Sequence, residues 1–301
     1  MPSKKDKIVS INDKNIKLTN LDKLMYPTGI TKGDVIKYYH DIAEVLLPHI
    51  NDRPLVMKRY PNGIEGEYFY QKECPEHAPD WVKTTAVPHS EKTVNYVVCN
   101  DLPTLLWLAN LGCLEIHAWT SRINNIEYPD IAVMDLDPPD HSQFNEVLKT
   151  SLLVKKALQE FGLDCYPKTS GSRGIHLFIP IIPKYTFQEV TNVIKFIAKF
   201  IEKVYPSKTT TERVVEKREK KIYLDYLQNT RGKTMAWQYS LRPKTNATVS
   251  SPLLWEEIET GEIKPTNFTI QTILYRVKLY GDLYVDINKN SQSLDSILEL
   301  L

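Results

Sequence analysis

The sequence contains no apolar run approaching the ~20 residues that a membrane-spanning helix needs. Its amino terminus, MPSKKDKIVS, carries lysines with no apolar region behind them and does not read as a signal peptide. Cysteine is scarce. Cys74, Cys99, Cys113 and Cys165 are widely spaced and give no disulfide framework, so reduced thiols in a cytoplasmic protein are expected. The CPEH stretch at Cys74–His77 could be half of a metal site, but no matching Cys/His pair follows at zinc spacing. A surplus of one charge is also missing: 38 Lys and Arg against 37 Asp and Glu leave +1, without the global basic signature of a nucleic-acid binder. Repeats and low-complexity linkers are absent, and nothing among the 301 residues marks a domain boundary.

What is present begins with local charge. The first forty residues carry Lys4, Lys5, Lys7, Lys14, Lys17, Lys23, Lys32 and Lys37, and EKREKK covers Glu216–Lys221; such runs are most simply solvated faces. Thr31, followed by Asp34, predicts a capped helix with Val35, Tyr38, Tyr39, Ile42 and Leu46 on one face, ended by Pro48. Further helices are predicted over about 143–161 and 188–204, and around 102–112, with Gly112 as the stop. RPLVMKRY, VNYVVC, IAVMDLD, GIHLFIPII and KIYLDYL read as strands. Without strict alternation of strand and helix, the fold class is α/β or α+β, with mixed or antiparallel central sheets flanked by helices.

The stretch IAVMDLDPPD (Ile131–Asp140) carries the strongest chemistry. Strand alternation puts Asp135 and Asp137 on one face, and Pro138 and Pro139 end the ladder there. Two adjacent carboxylates repel and call for positive charge. KTSGSRGIHLFIPI (Lys168–Ile181) adds a turn of small residues whose N–H groups could approach an anion, with Lys168, Arg173 and His176 beside it; Walker-loop spacing is absent, and a polar hairpin turn is the plainer alternative. In KIYLDYLQN, Asp225 lies inside an apolar run and needs a partner: a salt bridge or a metal. SLRPK offers Arg242 and Lys244 for phosphate. Three acids, a Gly/Ser/Arg turn and a distal arginine together make a composite two-metal nucleotidyl transferase.

Nine segments in order resemble the polymerase domain of bacterial and archaeal ligase D, of the archaeo-eukaryotic primase superfamily, which acts in non-homologous end joining. They are LTNLDKLMYP, GITKGDVIKYY, NGIEGEYFYQK, LEIHAWTSR, MDLDPP, KTSGSRGIH, IYLDYLQNTRGKT, YSLRP and SPLLWEEI. The resemblance implies a single primase-polymerase-type domain over 1–301, with 1–30 as a DNA-end-binding part and 31–301 as the catalytic core. It implies metal ligation by Asp135, Asp137 and Asp225, with His117 in the catalytic pocket. Lys168, Ser170, Ser172, Arg173, His176, Gln228, Arg242 and Lys244 fall on the nucleotide side. Phe69 and Tyr70 match an aromatic pair stacked on the template, Lys23 a grip on a downstream 5′-phosphate with Lys14 as helper, and Arg218 a template contact; Arg59 joins the DNA-binding set. Two manganese or magnesium ions, nucleoside triphosphates, 5′-phosphorylated DNA ends or gaps, a Ku-type end-binding protein, a separate ligase, a ribonucleotide preference and a cytoplasmic, nucleoid-associated location are implied likewise. There are departures: Arg173 stands where many members have Lys, and Ala118-Trp119-Thr120 where they have Pro-Trp-Gly. A de novo primase, a non-catalytic end-bridging module and a metal-dependent phosphohydrolase are the rival expectations.

Overall fold

The computed structural model describes residues 6–140 and 143–301; Lys4 and Lys5 lie outside the described residues. In chain order the strands and helices are β1 (Lys7–Ile11), β2 (Lys14–Leu18), α1 (Lys32–Asp41), α2 (Ala43–Ile50), β3 (Pro54–Arg59), β4 (Phe69–Gln71), β5 (Thr84–Pro88), β6 (Thr93–Val98), α3 (Leu102–Asn110) and β7 (Cys113–Ala118). There follow β8 (Ile131–Asp137), α4 (Phe144–Glu160), β9 (Tyr166–Thr169), β10 (Ile175–Pro180), α5 (Phe187–Val204), β11 (Thr209–Thr210), β12 (Ile222–Asp225), β13 (Met235–Ala236), α6 (Trp255–Thr260), α7 (Ile273–Tyr280) and α8 (Asp295–Leu298). They fall into two compact units. Unit 1 takes the described residues up to Trp119 with Met235–Val249 and Thr269–Gly281; unit 2 takes Thr120–Thr234, Ser250–Phe268 and Asp282–Leu301.

Unit 1 is built on an antiparallel sheet in the order β13-β7-β3-β6-β5, with β4 also paired to β3 and a separate β1-β2 hairpin. The predicted capping box opens α1: the Thr31 hydroxyl accepts from the Asp34 N–H, and the Asp34 carboxylate accepts from the Thr31 N–H. One face of α1 is buried, and its tyrosines reach past apolar contact to hold distant backbone. Tyr38 donates to the Tyr239 carbonyl at 2.6 Å and Tyr39 to the Leu114 carbonyl at 2.5 Å. The expected single helix ending at Pro48 is instead two helices. Ile42 leaves helical geometry at φ −93°, ψ −5°, and Pro48 lies inside α2. Starting afresh at Ala43 leaves Pro48 in the last turn of a short helix, where its missing N–H removes the single hydrogen bond to the Glu44 carbonyl. Gly112, at φ +76°, follows α3 as expected, in a conformation that a side chain would resist.

Unit 2 carries a sheet in the order β11-β12-β8-β10-β9, parallel only between β11 and β12. Alternation sorts its side chains. Ala132, Met134 and Leu136 of β8, Ile175, Leu177 and Ile179 of β10, and Ile222 and Leu224 of β12 enter one core with Val147, Val154 and Leu158 of α4 and Val190, Ile194, Ile197 and Ile201 of α5. Each Val, Leu, Ile or Met side chain among them, fully buried, contributes about 1.5–3 kcal/mol. The residues between them, Asp135, Asp137, His176, Tyr223 and Asp225, are turned to the opposite face by the same periodicity. KIYLDYL remains a strand only to Asp225, after which Leu227–Asn229 form a short 3₁₀ turn. Among the described residues no helix is long and apolar enough to cross a membrane. All four cysteines are free.

Candidate active site

In unit 2, strand register assembles the acids. Asp225 of β12 stands opposite Asp135 of β8, which stands opposite His176 of β10, which stands opposite Lys168 of β9, making one row across four strands. His176 Nε2 lies 3.5 Å from Asp135 Oδ1. Asp137 is one pleat along, facing Tyr223. Asp225 is held by the Leu227 N–H at 2.8 Å, the Gln228 amide at 3.0 Å and the Tyr223 hydroxyl at 3.3 Å. Asp137 lies 3.7 Å from Arg173 and 3.9 Å from Arg218. Burial pushes its carboxyl above the usual range, Asp225 adds to this, and the two arginines offset only part of it. Some of the positive charge that the paired aspartates call for therefore comes from the chain itself.

These are hard oxygen donors on one face with unbalanced negative charge, a set suited to divalent cations. Among the described residues no three His, Cys, Asp or Glu side chains stand in metal-holding geometry; Asp225 accepts from protein donors and Asp137 lies 3.7 Å from Arg173.

The turn before β10 is held from within. Ser170 Oγ accepts from the N–H groups of Ser172 and Gly174, both at 3.1 Å, and Thr169 Oγ1 accepts from that of Gly171 at 3.1 Å. Those N–H groups, expected from the sequence to be open to an anion, serve the turn instead. Gly174 is required by close approach: a Cβ there would fall 2.1 Å from the Leu136 carbonyl oxygen. Arg173 reaches back to the Pro139 carbonyl and keeps a partly exposed guanidinium. Ser172 is half-buried. Lys168 is fully enclosed; its ammonium donates to Ser250 Oγ at 2.5 Å and lies over the Phe178 ring, so it presents no charge to solvent. Arg218 stacks on Tyr223 at 3.8 Å and is anchored by the Glu212 and Arg213 carbonyls.

Unit 1 holds the remaining residues. His117, Lys58 and Arg242 surround the buried carboxylate of Glu115. Burial lowers the His117 imidazole, and Arg242 and Lys58 add to this against the pull of Glu115, so the neutral ring is favoured. Tyr70 meets that ring edge-on at 5.8 Å. Lys244 is exposed on the loop that carries Arg242.

Phe69 and Tyr70 are adjacent in β4 and point to opposite faces. Tyr70 pairs with Lys58, while Phe69 pairs with Arg59, whose guanidinium lies 5.2 Å from the ring centre. On the Arg59 side opens a cavity of about 250 Å³ lined by Asn20, Lys23, Lys32 and Arg59, with no carboxylate in its wall. Lys23 donates to the Pro61 carbonyl at 3.0 Å and Lys32 to the Thr19 carbonyl at 2.7 Å. Burial, with Lys23 and Arg59 nearby, pushes Lys32 down to about 8. Three cations without a counter-ion in the wall fit an anion. Lys14 is not among the lining residues; it pairs with Asp101 at 2.5 Å and lies over Trp81.

Sequence reasoning left Lys32 in a solvated run and passed over Lys58, Tyr60, Tyr68 and Glu115. Glu115 had a signal: an acid inside the apolar strand CLEIHA, the pattern that singled out Asp225.

A family model described as LigD, primase-polymerase domain, matches residues 31–284. The bifunctional non-homologous end joining protein LigD of Bacillus subtilis is 37% identical over 290 residues, 95% of this chain and 46% of that protein. The multifunctional non-homologous end joining protein LigD of Mycolicibacterium smegmatis is 32% identical over 285 residues, 94% of this chain and 37% of that protein. The chain thus spans less than half the length of the curated relatives it matches. Among solved structures, the polymerase domain of Mycobacterium tuberculosis ligase D in complex with DNA superposes with a TM-score of 0.84 at 31% identity, covering 92% of this chain and 99% of that one.

Proposed function

The chain belongs to the LigD primase-polymerase domain family, and from that premise we propose that it is a template-directed nucleotidyltransferase that fills short gaps and extends ends at double-strand breaks. The observation that carries the gap-filling half is the cavity of Lys23, Lys32 and Arg59, whose cations suit the terminal phosphate of a downstream strand. Asp135, Asp137 and Asp225 would hold two divalent ions, manganese or magnesium, which would supply Lewis-acid activation of a primer hydroxyl and charge neutralisation of a leaving pyrophosphate. Arg173, His176, Arg242 and Lys58 would each contribute charge and hydrogen bonding to the triphosphate. Tyr70 stacks on a base of the template, a contact that tolerates any sequence and suits unselected broken ends. Gln228 steadies Asp225, and Arg218 steadies the loop beside it.

A preference for ribonucleotides, a Ku-type end-binding partner and a ligase acting on the product belong to the same proposal, as does action in the cytoplasm on the nucleoid. A de novo primase is the competing possibility, since it would use the same acids. It has no downstream strand, however, and so no use for the phosphate cavity.

The test is incorporation on a short-gapped DNA with manganese, with and without a downstream 5′-phosphate, offering ribo- and deoxyribonucleotides in parallel. Incorporation that depends on the phosphate is expected. Incorporation indifferent to it, or dinucleotide synthesis without a primer, shifts the function to priming. Nucleotide hydrolysis without DNA exposes a phosphohydrolase, and DNA binding with no incorporation leaves an end-bridging module.

A further inference from the structure

We propose that Glu115 is a positioning residue for nucleotide binding: its single buried carboxylate fixes where Lys58, Arg242 and His117 stand. The proposal rests on those three facing the nucleoside triphosphate. The two oxygens divide the work. Oε1 takes the Lys58 ammonium at 2.6 Å and the Tyr60 hydroxyl at 2.7 Å, while Oε2 takes Arg242 Nε at 2.8 Å and His117 Nε2 at 3.5 Å. The partners come from far apart in the chain: β3 and the residue just after it, β7 itself, and the loop after β13. A shift of any of these segments would be felt by the other two through the same carboxylate.

The electrostatics support a device that gathers cations. Burial would raise the Glu115 carboxyl, but His117, Arg242 and Lys58 together outweigh it and hold the group well below the usual carboxylate range. Glu115 therefore stays ionised at any working pH. Two fixed cations held this close would repel. With one carboxylate between them and a neutral imidazole, the cluster carries one net positive charge instead of two. That leaves an attraction for an anion while removing the repulsion that would splay the empty site.

Exposure distinguishes this from an ordinary internal ion pair. Glu115 is completely covered, whereas the side chains of Lys58 and Arg242 are 12% and 18% exposed, so both side chains reach the surface while their counter-ion stays behind. The surroundings prevent the cations from swinging free. The rings of Tyr60, Tyr68 and Tyr70 enclose the Lys58 ammonium at 5.5, 4.6 and 5.3 Å. The Arg242 carbonyl accepts from Tyr26 at 3.2 Å, and the Arg242 N–H donates to Thr248 at 2.8 Å.

Three variants test the proposal: Glu115→Gln, Glu115→Asp and Tyr60→Phe, each checked for folding by thermal melting. Glutamine keeps the shape but places an amide NH₂ against one pair of donors. The nucleotide KM should rise on the order of 10–100-fold with a smaller change in kcat. The His117 titration, followed by NMR, should move further down in Glu115→Gln, because the only group raising it has gone. Tyr60→Phe keeps the ring beside Lys58 and removes only one of the hydrogen bonds to Oε1, so its rise in KM should be much smaller than that of Glu115→Gln. Glu115→Asp, one bond shorter, should fall between wild type and Glu115→Gln, and it decides the matter if the glutamine variant does not fold. An unchanged KM in a folded Glu115→Gln or Glu115→Asp overturns the proposal. So does a Tyr60→Phe defect as large as that of Glu115→Gln, which would make the site a matter of packing. Wild-type protein that neither binds nor incorporates a nucleoside triphosphate refutes the polymerase function, and this proposal with it; normal wild-type incorporation with indifferent variants refutes only this proposal.

Discussion

Lys32 offers a way to watch the phosphate cavity work. Its ammonium is pushed down to about 8, first by burial and then by Lys23 and Arg59. A 5′-phosphate has its second pKa near ~6, so above neutrality it is fully charged and does not titrate with the lysine. The charged lysine binds the phosphate and the neutral one does not. About a tenth of Lys32 is neutral near pH 7 and about nine tenths near pH 9, so the preference for 5′-phosphorylated over 5′-hydroxyl DNA should fall about ten-fold over that span. The fall is capped by the worth of one charge-assisted hydrogen bond, ~1.5–3 kcal/mol. Two effects of opposite sign separate binding from folding. The folded pKa lies below the unfolded one, so between about 8 and 10.5 the unfolded chain binds more protons at this site, and its contribution to stability rises with pH while phosphate affinity falls. The assay is fluorescence anisotropy with paired gapped duplexes at stepped pH, on wild type and Lys32→Arg. Arginine stays charged throughout and should flatten the curve. A flat wild-type ratio, or an equal fall in Lys32→Arg, refutes the reasoning.

Replacing Asp137 by Ala should abolish incorporation without lowering the melting temperature, because its carboxyl is already disfavoured by burial and by Asp225; a fall of more than about 1 kcal/mol in urea stability would contradict this. Gly174→Ala should cost roughly 1–3 kcal/mol or more by urea denaturation, since its Cβ would meet the Leu136 carbonyl oxygen at 2.1 Å. Phe69→Ala and Tyr70→Ala should have separable effects: the first on the 5′-phosphate preference through Arg59, the second on template affinity by about 1–3 kcal/mol, with filter binding to phosphorylated and single-stranded DNA as the readout.

Much of unit 2 was legible because alternation acts within one segment. IAVMDLD already states that Asp135 and Asp137 share a face, and KIYLDYL sets Asp225 inside an apolar run where it needs partners. The capping box of α1 and the stop at Gly112 were equally local. The split of the first helix at Ile42 was not, because hydrophobic spacing continues through it and the break appears only in the backbone. The enclosure of Lys168 depends on Ser250 and Phe178, and the grouping around Glu115 on residues near 60, 117 and 242. No short window of sequence contains Lys168 with Ser250, or Glu115 with both Lys58 and Arg242. The phosphate cavity failed for a related reason: Lys32 looks like one lysine of many until folding brings Lys23 and Arg59 beside it.

Lys58 and Arg59 are consecutive in β3, and the ladder to β7 shifts register between them, so that Lys58 faces Glu115 and Arg59 faces Cys113. Two cations with different assignments thus depend on the parity of a single strand. This bears on how such a chain can diverge over time. Substitutions along β3 alter one contact each and can be selected one by one. An insertion or deletion of a single residue before Lys58 would send each cation to the other's side of the sheet, disabling both assignments in one event. Length in this strand is therefore expected to be under tighter constraint than identity, and a library of single-residue insertions should show its sharpest loss of function between Val56 and Arg59.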